Sequence, residues 1–396
     1  MPIIKMTDLN LTDKRVLIRS YLRPPVKDGQ VITTDCLKES LATINMAIKC
    51  GAKVMVLSHL GGATEGDYSD EYSLGLMVDY LSAELDVPVR LVQDYLDGVD
   101  VAIGELVVLE NCLFNKGEKS DSDELARRYA ALCDIFVMDD AAIAHQTWAS
   151  THGVAKFAPV ACAGPSLVFD LDVADKLINN PERPLVAIVG YLWRGHGQAL
   201  IKGLSQLVDH LLVGNKTADM FIAAAGQNYS RHACCPELVD DAKALASTCN
   251  IPAITDVVVS KGDSEGVATA VKPIGQLDDD DDILDIGPET AQRFAALITS
   301  ARTIICYGEL SYYLLEGSRT IAHAVAASQT FLVCLDRRAL EQMKQCGVTH
   351  HGPYLPKGSV LSALLSGDEV PVVTMLKEHA MKFAAERTTG SYGTTN

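Results

Sequence analysis

The sequence predicts an α/β protein made of two doubly wound parallel-sheet domains, and three observations carry that prediction. Short, continuous apolar runs rich in β-branched residues alternate with helical patterns along almost the whole chain. Such runs suit strands covered on both faces, the condition of a parallel sheet sandwiched by helices. The alternation then restarts after a polar, proline-bearing break, Asn179-Asn180-Pro181-Glu182-Arg183-Pro184, and 396 residues at 48% hydrophobic suffice for two cores.

Taken in order, Arg15 to Ser20 (RVLIRS) reads as the first strand. Cys36 to Cys50 follows as a helix, with Leu37, Leu41, Ile44 and Ile48 on one face and Gly51 at its C-terminal cap. KVMVLSHL, from Lys53 to Leu60, is the next strand, after which Ser73 caps the helical stretch SLGLMVDYLSAEL. PVRLV, ELVVLEN and DIFVMDD continue as strands, with a helix from Ser122 to Leu132 between the last two. Beyond the break, VAIVG is a strand, and Leu200, Ile201, Leu204, Leu207, Val208 and Leu211 form the apolar face of the following helix. HLLVGN, AITDVVVS, TIICYG and TFLVCL extend the strand series, with helices in PETAQRFAALI and RTIAHAVAAS. MLKEHAMKFAAE reads as a docked, weakly amphipathic helix, or alternatively a partner-binding one, before the tail RTTGSYGTTN.

Composition excludes several classes of function. A net charge of −17 repels nucleic acid and anionic lipid, so an anionic ligand needs a local basic site. No apolar stretch is long enough to span a bilayer, and MPIIKMTDLNLTDKR lacks a secretory h-region, so a cytoplasmic location is expected. The 11 cysteines are scattered, and neither Cys234-Cys235 nor His350-His351 has the further spaced ligands of a metal site. Asp278 to Asp282, five consecutive aspartates, reads as a solvated loop, so no metal is expected.

One turn invites a nucleotide. VAIVGYLWRGHG, from Val186 to Gly197, is a strand breaking into a glycine-bearing turn just before a helix, where an α/β protein commonly places a phosphate. The turn contains no lysine and carries Trp193, one of only two tryptophans.

RVLIR, AKVMVLSHLGG, VVLENCLFNKGE, AIAHQTWASTHGVAKF, NPERPLVAIVG and LDIGPET together resemble the phosphoglycerate kinase family in order and spacing, over roughly residues 5 to 375. The resemblance implies two Rossmann-like domains joined by a hinge: residues 1–170, with a C-terminal segment of about 375–396 packing back on them, and residues 186–370. In the family, the first domain binds 3-phosphoglycerate on a basic patch, the second binds Mg-ATP or Mg-ADP, and hinge closure joins the phosphates.

Carried over position by position, the family's pattern breaks in both halves. Its Arg-Val-Asp-Phe-Asn-Val-Pro motif is Arg19-Ser20-Tyr21-Leu22-Arg23-Pro24-Pro25 here, so the substrate-holding aspartate and asparagine are Tyr21 and Arg23. Four expected arginines are Cys36, Gly62, Leu113 and Gln146, whereas His59 and His145 are retained. None of those four replacements can make a charge-assisted, bidentate bond to phosphate or carboxylate. Arg19, Arg23, His59 and His145 are thus the substrate-site remnants. Arg23 either holds a different anion or faces solvent; the histidines either keep weak phosphate binding or serve structure.

In the second half, the two lysines that the family turns toward the transferred phosphoryl group fall on Trp193 and Gly197, and the aspartate between them on His196. Gly190, Gly214, Gly308, Asp336 and Gly358 remain of the nucleotide motifs. Trp193 reads as a plug in the vacant cleft rather than an adenine platform, and Asp336 as a helix N-cap rather than a magnesium ligand. Gly190 and Gly214 fit a steric demand of their turns.

Phosphoryl transfer depends on positioning and charge neutralisation, and one preorganised donor is worth about 2.7–4 kcal/mol. The expectation is therefore a catalytically inactive pseudoenzyme with no cofactor, acting on a protein partner such as an active kinase or another metabolic enzyme. The alternative is an active phosphotransferase using Mg-ATP/ADP with a carboxyl acceptor, as in glycolysis or the Calvin cycle, or with an altered acceptor, employing Arg23, Arg194, Lys216 and Arg337 as relocated cations. A sensor of another small anion is a third possibility.

Overall fold

The structure, a computed structural model, describes residues 3–191, 196–226, 236–261, 269–311, 315–328, 330–348 and 359–388. Trp193, Arg194, Gly358, Cys234-Cys235, His350-His351 and the last eight residues of the tail lie outside the described residues, as does the side chain of His196. The chain divides into two compact units, one of Met1–Asp175, Lys357–Leu364 and Glu369–Asn396, the other of Lys176–Pro356 and Leu365–Asp368.

In the first unit, β1 (Arg15–Arg19) is followed by a short hairpin, β2 (Val26–Lys27) and β3 (Gln30–Val31), then by α1 (Asp35–Lys49) and β4 (Lys53–Leu57). Thr34 caps α1 by accepting from the Leu37 N–H, and Gly51, at φ +75°, takes the left-handed conformation that ends it. Ser73 caps a single 3₁₀ turn that runs into α2 (Val78–Leu85), and Ser122 caps α3 (Asp123–Ala131). The other strands are β5 (Val89–Val92), β6 (Leu106–Leu109), β7 (Ile135–Met138) and β8 (Val160–Ala163), with α4 (Val154–Phe157) and α5 (Pro165–Asn179) beside them.

Six of these strands form one parallel sheet, in the order β5-β6-β4-β1-β7-β8. Side-chain alternation sends Leu17, Met55, Val107 and Phe136 into one core, and Val16, Ile18, Val54 and Val56 into the other. Both faces are covered, which is why these strands read as unbroken apolar runs; each fully buried Leu, Ile or Phe is worth about 1.5–3 kcal/mol. From β1 the chain moves to β4 on one side and later to β7 on the other, so the strand order switches between β1 and β7.

In the second unit, β9 (Leu185–Val189), α6 (His196–Leu207), β10 (His210–Val213), α7 (Asn215–Ala224) and α8 (Pro236–Thr248) come first. β11 (Asp256–Ser260), β12 (Thr269–Pro273), β13 (Asp282–Ile286), α9 (Pro288–Ser300), β14 (Thr303–Tyr307), α10 (Glu316–Ala327), β15 (Phe331–Cys334) and α11 (Arg337–Gln345) follow. Four strands form a parallel sheet ordered β10-β9-β14-β15, which switches direction between β9 and β14. After α12 (Ser359–Leu365), the long α13 (Pro371–Thr388) buries Val372, Val373 and Leu376 in the core of the first unit.

Three details differ from the sequence expectation. The helix after β9 ends at Leu207, so Leu211 belongs to β10 and not to the apolar face of α6. AITDVVVS does not extend the parallel sheet: β11 pairs antiparallel with both β12 and β13. Eight residues separate β11 from β12, a length that suits a direct reversal onto the neighbouring strand, and β13 then pairs on the other edge of β11. The aspartate run is not simply solvated either. Asp281 is fully buried, Lys272 Nζ lies 2.7 Å from it and 2.8 Å from Asp278, and Lys261 Nζ lies 3.0 Å from Asp280.

Candidate functional site

In open α/β sheets, ligands bind beyond the carboxyl ends of strands at the point where strand order switches. Arg19 ends β1, His59 lies two residues past β4, and Asp139 and Asp140 follow β7 directly, so this geometry gathers them at the switch point of the first unit.

The Arg19 guanidinium is fully buried and turned inward on the protein. Its Nε donates to Ser150 Oγ at 3.1 Å, one terminal nitrogen reaches the Ser20 and Leu57 carbonyls at 3.4 Å, and the other lies 2.8 Å from His59 Nδ1 and 3.9 Å from Cys112 Sγ. Asp140 Oδ2 is 3.5 Å away. Behind this arginine, the buried Glu118 accepts from the Ser150 N–H and the Tyr129 hydroxyl. Burial raises the Glu118 pKa, although Ser150, Arg19 and Tyr129 act against it.

Burial first, and then the charges of Arg19 and Arg23, push His59 down to about 2. At neutral pH its ring is therefore an uncharged acceptor, edge-on to Trp148 with centroids 5.3 Å apart. A neutral, nearly buried imidazole cannot supply the cation a phosphate needs. Burial also raises the Cys112 thiol well above its ordinary range, which rules against a thiolate nucleophile there.

Arg23 neither faces solvent nor stands open to an external anion. Its two terminal nitrogens meet Asp140 Oδ2 at 2.5 Å and Oδ1 at 3.0 Å, and its guanidinium stacks 4.5 Å from the centre of the Tyr21 ring. Burial alone would raise the pKa of Asp140, but the Arg23 charge and hydrogen bonds, with Arg19, hold it below the usual carboxylate range.

The positions of the missing arginines complete the site. Leu113 is buried and Cys36 half-buried. The Gln146 amide lies 2.7 Å from the half-buried His145 ring nitrogen. Only Gly62 faces open space, with nothing within 4 Å of where a Cβ would stand.

In the second unit, the turns after β9 and β14 meet at the other switch point. Gly190 N–H donates to the Tyr307 carbonyl at 2.8 Å and Tyr191 N–H to the Glu309 carbonyl at 3.0 Å. A Cβ on Gly190 would lie 1.9 Å from Glu309 O, and one on Gly308, at φ +73°, 2.3 Å from Tyr191 O, so both glycines answer a steric demand of the chain itself. Gly214 precedes α7 and is looser, its nearest contact being Leu310 O at 3.3 Å. Gly197 is buried in the first turn of α6.

Asp336 is the N-cap of α11, accepting from Arg338 N–H at 2.9 Å and Ala339 N–H at 3.0 Å, while its other oxygen takes Gly308 N–H at 2.6 Å. Both oxygens thus serve the fold. Lys216 lies 3.3 Å from Asp219.

Sequence reasoning missed Asp140, Ser150 and Glu118, which determine what the arginines do. The one available signal was the pair Asp139-Asp140 at the end of an apolar strand, opposite an arginine-bearing strand end.

A family model described as phosphoglycerate kinase matches residues 6–366. Among solved structures, phosphoglycerate kinase from Coxiella burnetii superposes with a TM-score of 0.90 at 36% identity, covering 96% of this chain and 100% of that one. Phosphoglycerate kinase from Pyrococcus horikoshii OT3 superposes with a TM-score of 0.74 at 22% identity over the same shares, a likeness of fold. No described helix is long and apolar enough to cross a membrane.

Proposed function

The chain belongs to the phosphoglycerate kinase family, and from that premise we propose that it is a catalytically inactive member that acts by binding a protein partner. The observation that carries the reading is the inward use of the surviving cation: every N–H direction of the buried Arg19 ends on a protein atom. Cys36, Gly62, Leu113 and Gln146 supply no replacement. Phosphoryl transfer needs cations and amides aimed at the transferred group, and losing several such donors takes turnover toward background. A partner protein would then be the object of selection on the retained fold, with an active kinase or another metabolic enzyme the first to test by pull-down.

The alternative, an active ATP-dependent phosphotransferase, is favoured by one observation: 36% identity over the whole of a phosphoglycerate kinase. Calorimetric titration separates the two. Absence of heat with Mg-ADP and with 3-phosphoglycerate at millimolar concentration supports the inactive reading; micromolar binding of both overturns it.

A further inference from the structure

The Asp140 carboxylate sits in the fork of the Arg23 guanidinium. We propose that Asp140 is a built-in anion: it occupies the fork of Arg23, lies against Arg19, and keeps the first unit from accepting a phosphate or carboxylate ligand.

Four observations converge on it. The contact is the two-point fork by which arginine recognises carboxylate and phosphate, with oxygens at 2.5 Å and 3.0 Å from the two terminal nitrogens. The Asp140 side chain is 1% exposed and that of Arg23 17%, so the pair is sheltered from solvent screening. Arg23 is fixed in its pose, stacked on Tyr21, whose hydroxyl donates to the Arg23 carbonyl at 3.0 Å. Beside Asp140, the cavity lined by Tyr21, Cys36, Glu39, Ser40, Asp139 and Ser166 measures about 10 Å3, room for one water, and its rim adds two more acidic side chains to Asp140.

An internal carboxylate held in place competes at an effective concentration that a free ligand at millimolar levels does not match. Asp140 is thus a specificity-determining residue, one that rejects anions although two arginines are present. The inference rests on the reading that this unit has left its family's substrate chemistry, yet its test is separate from turnover.

The test is thermal unfolding with and without inorganic phosphate at constant ionic strength, in the wild type and in Asp140→Ala. The variant should gain a phosphate-dependent rise in midpoint over the millimolar range, with apparent affinity at least about tenfold above wild type. The double variant Arg23→Met/Asp140→Ala should lose that response. A folded Asp140→Ala without phosphate gain overturns the proposal, as does a wild type that responds equally. Asp140→Asn, which keeps the volume, takes its place under the same criteria if the alanine variant does not fold. If neither folds, phosphate titration of the wild type read at the His59 ring resonances decides: no shift at millimolar phosphate supports the proposal, and a saturating shift overturns it. Turnover of 3-phosphoglycerate by the wild type would sink both readings, whereas missing phosphate gain in a silent protein sinks only the built-in anion.

Discussion

Replacing Arg23 by methionine keeps an unbranched apolar stem against Tyr21 and removes the charge that compensates Asp140. Asp140, 1% exposed, is then left with Arg19 at 3.5 Å as its nearest cation. Removing one partner of a buried ion pair costs roughly 3–5 kcal/mol, and the remaining arginine places the expectation at the low end, about 3 kcal/mol near neutral pH. The sign with pH is fixed. In the wild type the folded pKa of Asp140 is depressed, so its stabilisation is present above the unfolded value of about 3.9 and is lost as pH falls through the folded value. In Arg23→Met, burial prevails and the folded pKa rises above the unfolded one, so the penalty grows between those two values and disappears at lower pH. The difference between the proteins should therefore shrink as pH falls from about 7 to about 4. Urea unfolding read by Trp148 fluorescence in a Trp193→Phe background reports locally, since Trp148 stands 5.3 Å from His59. A loss below about 1 kcal/mol, or an equal loss at both pH values, would refute the reasoning.

Three further outcomes are expected. Gly190→Ala drives a Cβ to 1.9 Å from Glu309 O and should cost about 2–3 kcal/mol in unfolding of the second unit, whereas Gly62→Ala, facing open space, should change stability by less than about 0.5 kcal/mol; equal effects would contradict the steric account of Gly190. Asp285 is raised to about 6, chiefly by burial, so it weighs against the fold increasingly as pH rises from the unfolded value to about 6; denaturation curves should show Asp285→Asn comparing with wild type more favourably at pH 7 than at pH 4, by up to about 3 kcal/mol. His379 anchors α13, its Nε2–H donating to Ala155 O at 2.7 Å while Ala161 N–H donates to Nδ1 at 3.4 Å, and burial lowers its pKa. That contribution is present above the unfolded value of about 6.5 and declines as pH drops through the folded one, so α13 amides should exchange faster at pH 5 than at pH 7 after correction for intrinsic rates, a pH effect that His379→Ala should abolish.

Much of the fold was legible because the signals are local. Apolar runs marked the parallel strands, Ser73 and Ser122 marked helix starts, Gly51 marked a helix end, and Asp336 lies directly before α11, which it caps. The antiparallel pairing of β11 was not legible, because a short strand carries no mark of its partner's direction. The candidate site divides in the same way. Arg19 and His59 could be placed at strand ends from pattern and resemblance. What they touch could not, since Arg19 reaches Ser150 across 131 positions and Arg23 reaches Asp140 across 117. Arg23 accordingly had two readings, an anion holder or a solvated side chain, and the structure gives a third, an internal pair. Gly190 is similar: its turn was visible in VAIVGYLWRGHG, but the carbonyl of Glu309 that excludes a side chain comes from a different strand end.

The most direct test of the central claim is a coupled assay of the purified full chain with ATP, magnesium and 3-phosphoglycerate, following NADH oxidation beside an active phosphoglycerate kinase under the same conditions. With Arg19 turned inward, Arg23 closed on Asp140 and four arginine positions vacated, turnover should not rise above the enzyme-free background. A rate within about a hundredfold of the active kinase would contradict the claim, because that gap is smaller than the loss of even one preorganised donor commonly produces.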